Sequence, residues 1–168
     1  GQVAFVLEVG KFQLLETAAE ALCHLLLAPS PPDRPSRRPA SVGIRIQKPR
    51  ALNGLAEPWI SIVRHASDMD YGNEVNHFGE VDIWHENDDC GIYLLRIPPG
   101  ASIPAHFHAE MEEGELIMSD GLLLQNQRVE AGMAHIWPKH FVHEYSNPTD
   151  LERSILCVNA PKFIPSDE

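Results

Sequence analysis

The chain has 168 residues, enough for one domain or two small ones, and carries a formal net charge of −11. Residues 1–65 have eight Lys and Arg against five Asp and Glu, whereas residues 66–168 have five against nineteen. The acidic second segment argues against nucleic acid as a partner, and no apolar run approaches the roughly 18–20 residues that span a bilayer, so a cytoplasmic protein without a membrane segment is expected.

The first segment, residues 1–65, is predicted to contain one helix and two strands. Residues 12–28 place apolar side chains at helical spacing and Pro29 ends the pattern, which predicts an amphipathic helix. Residues 29–39 are too rich in proline for regular structure, so we expect a flexible, exposed connection. Two strands are then predicted, one from the alternating run SVGIRIQKP and one from WISIVR.

The second segment, residues 66–168, consists of short apolar runs separated by Gly, Pro, Asn and Asp. Such runs are typical of the strands of an antiparallel sandwich or barrel. The runs are EVDIWHE, GIYLLRI, ELIMS, LLLQNQ, HIWP, FVHEYS and SILCVN. The predicted fold class is therefore mainly β, with a barrel preceded by a small α+β segment of helix, strand and strand.

Two histidines and four glutamates lie close together in the stretch AHFHAEMEEGEL, residues 105–116. On a strand, His106 and His108 point to the same face and can project together into a barrel, while Phe107 points away. A carboxylate a few residues further on would supply a third metal ligand. The candidates are Glu110, Glu112, Glu113 and Glu115.

The second segment resembles the cupin superfamily in two motifs that occur in the family's order, over roughly residues 75–160. The first motif has a glycine, two histidines separated by one residue, and a glutamate; the matching residues are Gly100, His106, His108 and Glu112. The second has a glycine, a proline, a histidine and an asparagine; the matching residues are Gly132, Pro138, His143 and Asn147. Three further histidines are interpreted as wall or rim residues of the barrel: His77, His85 and His135.

The resemblance implies a small jelly-roll barrel that holds a divalent metal ion on three histidines and one glutamate. Carried over residue by residue, the metal ligands would be His106, His108, Glu112 and His143. Such a mixed set of nitrogen and oxygen ligands suits Fe, Mn, Ni or Zn and leaves coordination positions open. The implied activity is that of a metal-dependent enzyme acting on a small molecule, as a dioxygenase, isomerase or decarboxylase. A metal-binding or ligand-binding module without turnover is the alternative.

The match departs from the cupin motifs in two places. His140 stands where the second motif has a glycine in a turn of positive φ, a conformation that His adopts more readily than branched residues do. The glycine that follows the motif's glutamate, Gly121, lies one or two residues later than in the family. Glu113, or less readily Glu115, is therefore an alternative ligand, although strand alternation predicts that Glu112 faces the metal and Glu113 faces the other side.

The first segment resembles the second half of dihydroneopterin aldolase, with a helix that opens on FQLLET, a strand that ends in a Lys-Pro pair and a closing strand. In that family the glutamate of the helix binds the pterin and the lysine takes part in acid–base chemistry, and the matching residues are Glu16 and Lys48. Only half of that fold is matched, so we expect the segment to serve structure by packing on the barrel or on a second subunit; an aldolase-related activity is the alternative.

Barrel strand edges and the opposite charges of the two segments predict at least a homodimer.

Overall fold

Residues 1–33 and 35–167, which this computed structural model describes, fold into two helices and twelve strands. The helices are α1 (Gln2–Val9) and α2 (Leu15–Leu27). The strands are β1 (Ser41–Gln47), β2 (Trp59–His65), β3 (Gly72–Asn76), β4 (Gly79–Glu86), β5 (Gly91–Ile97), β6 (Ser102–His106), β7 (Glu112–Ile117), β8 (Leu123–Leu124), β9 (Gln127–Arg128), β10 (Ala134–Trp137), β11 (His143–Ser146) and β12 (Arg153–Ala160). Within this part of the chain, no helix has the length and apolarity needed to cross a membrane.

The strands form one hairpin and a barrel of two sheets. β1 pairs with β2, the larger sheet has the order β10-β7-β12-β5-β4-β3, and the smaller one has the order β6-β11-β8-β9. β12 lies between β5 and β7 and is buried over most of its length, which explains its continuous apolar run SILCVN. The structure confirms the predicted fold class, a mainly β jelly-roll barrel preceded by helical and hairpin elements.

The six-stranded sheet has a hydrophobic core on each of its faces. The inner core, which fills part of the barrel, includes Ile117 and Tyr145. The outer core lies between the sheet and the helices and includes Leu22 of α2 and Leu156 of β12. Because neighbouring residues on a strand point to opposite faces, β7 sends Ile117 into the inner core and Leu116 into the outer one. The first segment therefore covers the outer face of the barrel.

Helix α1, which the sequence pattern does not predict, contacts β7 and β12. Its sequence QVAFVLEV has too few polar residues to show a helical period, so its apolar character gives no helical signal. A Cβ atom at Gly114 of β7 would lie 2.6 Å from Val9 Cγ2. A glycine is therefore required at this position for the helix to approach the strand so closely.

Helix α2 begins three residues later than predicted and packs on β1, β2 and β4. Most of the described residues of the proline-rich connection, residues 29–39, are exposed, as predicted, but one side chain contacts the barrel. Asp33 accepts a hydrogen bond of 3.0 Å from the Oγ atom of Ser154, a buried residue of β12. This contact ties the connection to the barrel; Arg34 lies outside the described residues.

A pair of histidines lies between α2 and β4. The rings of His24 and His85 have centroids 4.9 Å apart. Glu20 Oε1 lies 4.0 Å from His24 Nε2. Arg64 of β2 forms an ion pair with the same carboxylate, with Nη2 2.8 Å from Glu20 Oε2. Burial, together with the nearby His24, lowers the pKa of His85 to about 4. His85, a residue of barrel strand β4, thus lies on the outer face of the barrel wall, against α2.

This histidine pair makes stability depend on pH. The unfolded chain takes up a proton at His85 near the ordinary pKa of 6.5, whereas the folded chain does so only near 4. The contribution of His85 to the free energy of unfolding is therefore fully present above pH 6.5, the pKa of His85 in the unfolded chain, and is lost as the pH falls toward about 4, its pKa in the folded chain. The loss is less than about 1.4 kcal/mol per pH unit because the ring is partly exposed. We expect urea unfolding midpoints to fall less steeply with acidification in His85→Gln. His77→Gln, which removes an exposed histidine, should keep the wild-type slope; equal slopes in all three proteins would contradict the assignment.

Candidate metal centre

Elements of both sheets bring the predicted histidines together inside the barrel. His106, the last residue of β6, pairs with His143, the first residue of β11, and their ring centroids are 4.2 Å apart. Glu113 projects from β7 of the opposite sheet, and His108 lies in the turn that follows β6. The three predicted histidines thus form one cluster, although His108 lies beyond the end of the strand on which it was expected.

The ligand atoms of this cluster converge. Glu113 Oε2 lies 3.2 Å from His108 Nε2 and 3.1 Å from His143 Nε2. The ligand atoms of His106, His108 and Glu113 lie within 4.8 Å of one another, as do those of Glu113, Glu115 and His143. The cluster, which is buried apart from the partly exposed His106, is therefore compatible with a metal ion.

Three of the converging atoms have no hydrogen-bond partner among the described residues. They are His108 Nε2, His143 Nε2 and Glu113 Oε2. Their separations would allow ion pairs with protonated imidazoles, but no hydrogen bond joins them. Buried polar groups without a partner are rare in folded proteins. A cation between the three atoms would satisfy all of them at once, so the donor set fits a metal ion.

The other ring nitrogen of each histidine is held by the backbone. In each ring Nδ1 lies within 3.3 Å of a carbonyl oxygen, which can only accept a hydrogen bond, so Nδ1 carries the proton. The acceptors for His106, His108 and His143 are the carbonyls of Pro104, Asp167 and Phe141, respectively. This tautomer leaves the Nε2 lone pair available to a metal ion, and the backbone contact fixes the orientation of the ring.

The side chains of the two adjacent glutamates of β7 occupy the opposite faces of the strand from those that the sequence predicts. Glu112 has a side chain that is 41% exposed and pairs with Lys11 of the first segment, whereas Glu113 is buried in the cluster. The reason is the register of β7, in which Gly114 must face α1 and its neighbours Glu113 and Glu115 must therefore face the barrel interior. The structure thus corrects the expectation for Glu112 and brings Glu113 into the cluster instead.

Glu115, the third candidate carboxylate, is already engaged by other side chains. Its Oε2 atom accepts a hydrogen bond of 2.7 Å from the Tyr145 hydroxyl and another from Trp137 Nε1. Glu113, by contrast, has one oxygen near the Cys157 thiol, at 3.1 Å, and its other oxygen without a hydrogen bond. Glu113 is therefore the carboxylate with an oxygen available to a metal ion.

The two inward carboxylates differ in charge. Burial alone would raise the pKa of Glu113, but the neighbouring His108 and His143 outweigh burial and hold that pKa well below its usual range. Burial and the negative charge of Glu113 raise the pKa of Glu115. Glu113 is therefore the ionised member of the pair, as a metal ligand must be.

The cluster lines a cavity of about 290 Å³ inside the barrel. Much of the remaining wall is apolar, with Phe78, Leu95, Ile103 and Phe163 among the lining residues. Charged side chains also line the cavity, namely Glu74, Glu86 and Lys162. Pockets of this size are at the lower end of those that bind ligands, so the cavity suits a small molecule.

The sequence predicts the position or conformation of some neighbours of the cluster and gives no signal for others. Trp137 packs against the inner core and also stacks on His143, with ring centroids 4.6 Å apart. His135, predicted in the wall or at the rim of the barrel, stacks on the same indole at 5.0 Å. His140 has φ of 66°, the positive value expected where it replaces the motif's glycine. Asp167, which contacts His108 from 59 residues away, has no sequence signal.

Comparison with known proteins identifies the fold. No protein-family model matches the chain, and no curated protein matches it. Among solved structures it is similar to the capsular polysaccharide assembling protein CapF from Staphylococcus aureus, at 16% identity and a TM-score of 0.50, over 58% of this chain and 32% of that chain. KdgF from Halomonas sp. matches at 15% identity and a TM-score of 0.48, over 58% of this chain and 92% of that one. A cupin domain from Bordetella pertussis matches at 24% identity and a TM-score of 0.41, over 46% and 88%.

The fold is that of the cupins. At these identities the likeness concerns the cupin fold alone and says nothing about substrate. Nothing in the comparisons supports the resemblance of the first segment to dihydroneopterin aldolase. Glu16 and Lys48, the residues on which that resemblance depends, are both exposed and line none of the described cavities.

Proposed function

We propose that this cupin binds a divalent transition metal ion through His106, His108, Glu113 and His143 and acts as an enzyme on a small molecule in the barrel. The observation that carries the proposal is the convergence of three buried ligand atoms that have no hydrogen-bond partner among the described residues. Three imidazole nitrogens and one carboxylate oxygen suit Fe, Mn, Ni or Zn and leave coordination positions open.

The surrounding residues perform the roles that such a reaction needs. A bound metal ion would supply Lewis acidity or activation of oxygen. The backbone carbonyls hold the imidazoles in one tautomer and orientation, and Phe78, Leu95 and Ile103 give the cavity an apolar wall for a small molecule. Dioxygenation, isomerisation and decarboxylation are the reaction classes that this arrangement can serve.

The test is metal content followed by a search for turnover. Protein purified after expression with all four metals available should carry about one metal ion per chain by elemental analysis, and the double variant His106→Ala/His108→Ala should carry less than about a tenth of that. Wild-type protein that stays empty after anaerobic reconstitution with each metal would refute the proposal. Oxygen uptake and product analysis on small organic acids, phenols and sugars then separate an enzyme from a module that binds metal without turnover.

A further inference from the structure

Residues 161–167 follow the last barrel strand and return to the turn that carries His108. The carboxylate of Asp167 is buried and accepts hydrogen bonds from three consecutive backbone N–H groups. The donors are Ala109, at 2.9 Å, Glu110, at 3.0 Å, and Met111, at 2.9 Å. These three residues form the turn between His108 and β7, the strand of Glu113.

The same residue also contacts His108 through its backbone. The carbonyl oxygen of Asp167 accepts a hydrogen bond from His108 Nδ1 at 3.1 Å. Asp167 therefore binds four consecutive residues, 108–111: its side chain accepts from three N–H groups, of which that of Glu110 is shared between both oxygens, and its main chain accepts from His108. Its carboxylate fixes the position of its own carbonyl, and that carbonyl fixes the ring of His108.

The segment is also held at Phe163, which makes two contacts with Tyr93 of β5. The backbone N–H of Phe163 donates a hydrogen bond of 3.0 Å to the Tyr93 hydroxyl, and the two rings meet edge to face at 6.5 Å. Phe163 and Pro165 line the cavity together with His108. The segment is therefore one wall of the site and is tied to β5 as well as to the turn.

We infer that Asp167 is a positioning residue for the metal site: it clamps the turn 109–111 and aims His108 Nε2 at Glu113. This inference rests on the proposed metal function, because its consequence is a higher affinity for metal. Partners that orient a ligating histidine in this way typically change metal affinity by about 10–100-fold when they are removed. Release of the clamp should act on His108 while leaving His106 and His143, which other carbonyls hold, in place.

The experiment compares Asp167→Asn and Asp167→Ala with Ser166→Ala, which alters the exposed neighbouring residue of the same segment. Hydrogen exchange in the metal-free proteins should be faster by about tenfold or more at the amides of residues 109–111 in Asp167→Ala, which removes both acceptor oxygens. Asp167→Asn keeps one acceptor oxygen and replaces the other with an NH2 donor, so exchange there should be faster at the amide that faced the replaced oxygen. Competition titration with Zn²⁺ should show affinity about 10–100-fold lower, and the visible spectrum of the Co²⁺-loaded protein should change. Ser166→Ala should match the wild type in all three measurements.

Each contrary result has a distinct meaning. Faster exchange with Zn²⁺ affinity and Co²⁺ spectrum unchanged would reduce Asp167 to a structural role and overturn the inference. Unchanged exchange would show that the clamp is absent in solution and would overturn it as well. A wild-type protein that binds neither ion would refute the proposed function itself, and the exchange data would then stand as evidence on the clamp alone. Should Asp167→Ala melt well below the wild type, the nearly isosteric Asp167→Asn decides the question.

Discussion

Glu113→Gln is expected to lower the affinity for Zn²⁺ or Mn²⁺ by more than about 100-fold, measured by competition titration with a chelating dye. Glu113 supplies the only carboxylate oxygen of the cluster that is buried and without a hydrogen bond among the described residues, and it lies 3.1–3.2 Å from two imidazole nitrogens. A neutral amide of the same shape removes the negative charge and a strong ligand while preserving the packing. Stability should therefore change far less than metal affinity.

The matched control is Glu112→Gln, the same substitution one residue away. Glu112 has a partly exposed side chain that pairs with Lys11, so its loss should leave metal affinity within about threefold of the wild type, as is usual for an exposed ion pair. The opposite pattern, with metal lost in Glu112→Gln and retained in Glu113→Gln, would restore the ligand set that the cupin motif suggests. Retention in both variants would place the metal elsewhere.

Leu22→Ala is expected to lower the free energy of unfolding of the whole chain by about 2–5 kcal/mol, measured by urea denaturation. Leu22 is 3% exposed and belongs to the outer core, the cluster of packed side chains that also contains Trp84 and Leu156 of the barrel. Removing its side chain leaves a cavity between α2 and the sheet. Because helix and barrel share this core, we expect the whole chain to unfold in one cooperative transition. The midpoint of that transition should fall to a lower urea concentration in Leu22→Ala.

Leu26→Ala is the control on the same helix, where the side chain is 36% exposed. It should cost about 1 kcal/mol or less, since little buried area is lost. A Leu22→Ala protein whose barrel unfolds at the wild-type urea concentration would show that the first segment is independent of the barrel. Equal costs for the two leucines would likewise contradict the packing described here.

The barrel strands could be predicted because their signal is local. Alternation and short apolar runs depend on each strand's own neighbours, and runs such as GIYLLRI and SILCVN occupy β5 and β12 as expected. The three histidines could also be found, since the spacing of the two motifs depends on a shared barrel geometry. Helix α1 could not, because an apolar octapeptide that is buried by its neighbours has no period to detect.

The choice between Glu112 and Glu113 shows where sequence reasoning stops. A shift of one residue in strand register exchanges the two faces of the strand, so an inserted residue before Gly121 is enough to reverse the assignment. The register is set by Gly114 against Val9 of a helix more than a hundred residues earlier. Asp167 is a similar case, because its hydrogen bonds to the turn after β6 depend on tertiary structure alone.

X-ray absorption at the metal edge of the reconstituted protein tests the metal site most directly, because it counts the ligands without requiring a known substrate. The site described here predicts a first shell of nitrogen and oxygen only, with three imidazoles and one carboxylate at about 2.0–2.2 Å. Imidazole scattering should fall by about one third in His143→Ala, which removes one of three rings. A shell with a sulfur ligand at about 2.3 Å, which would point to Cys157, or with fewer than two imidazoles in the wild type, would contradict the assignment of His106, His108, Glu113 and His143.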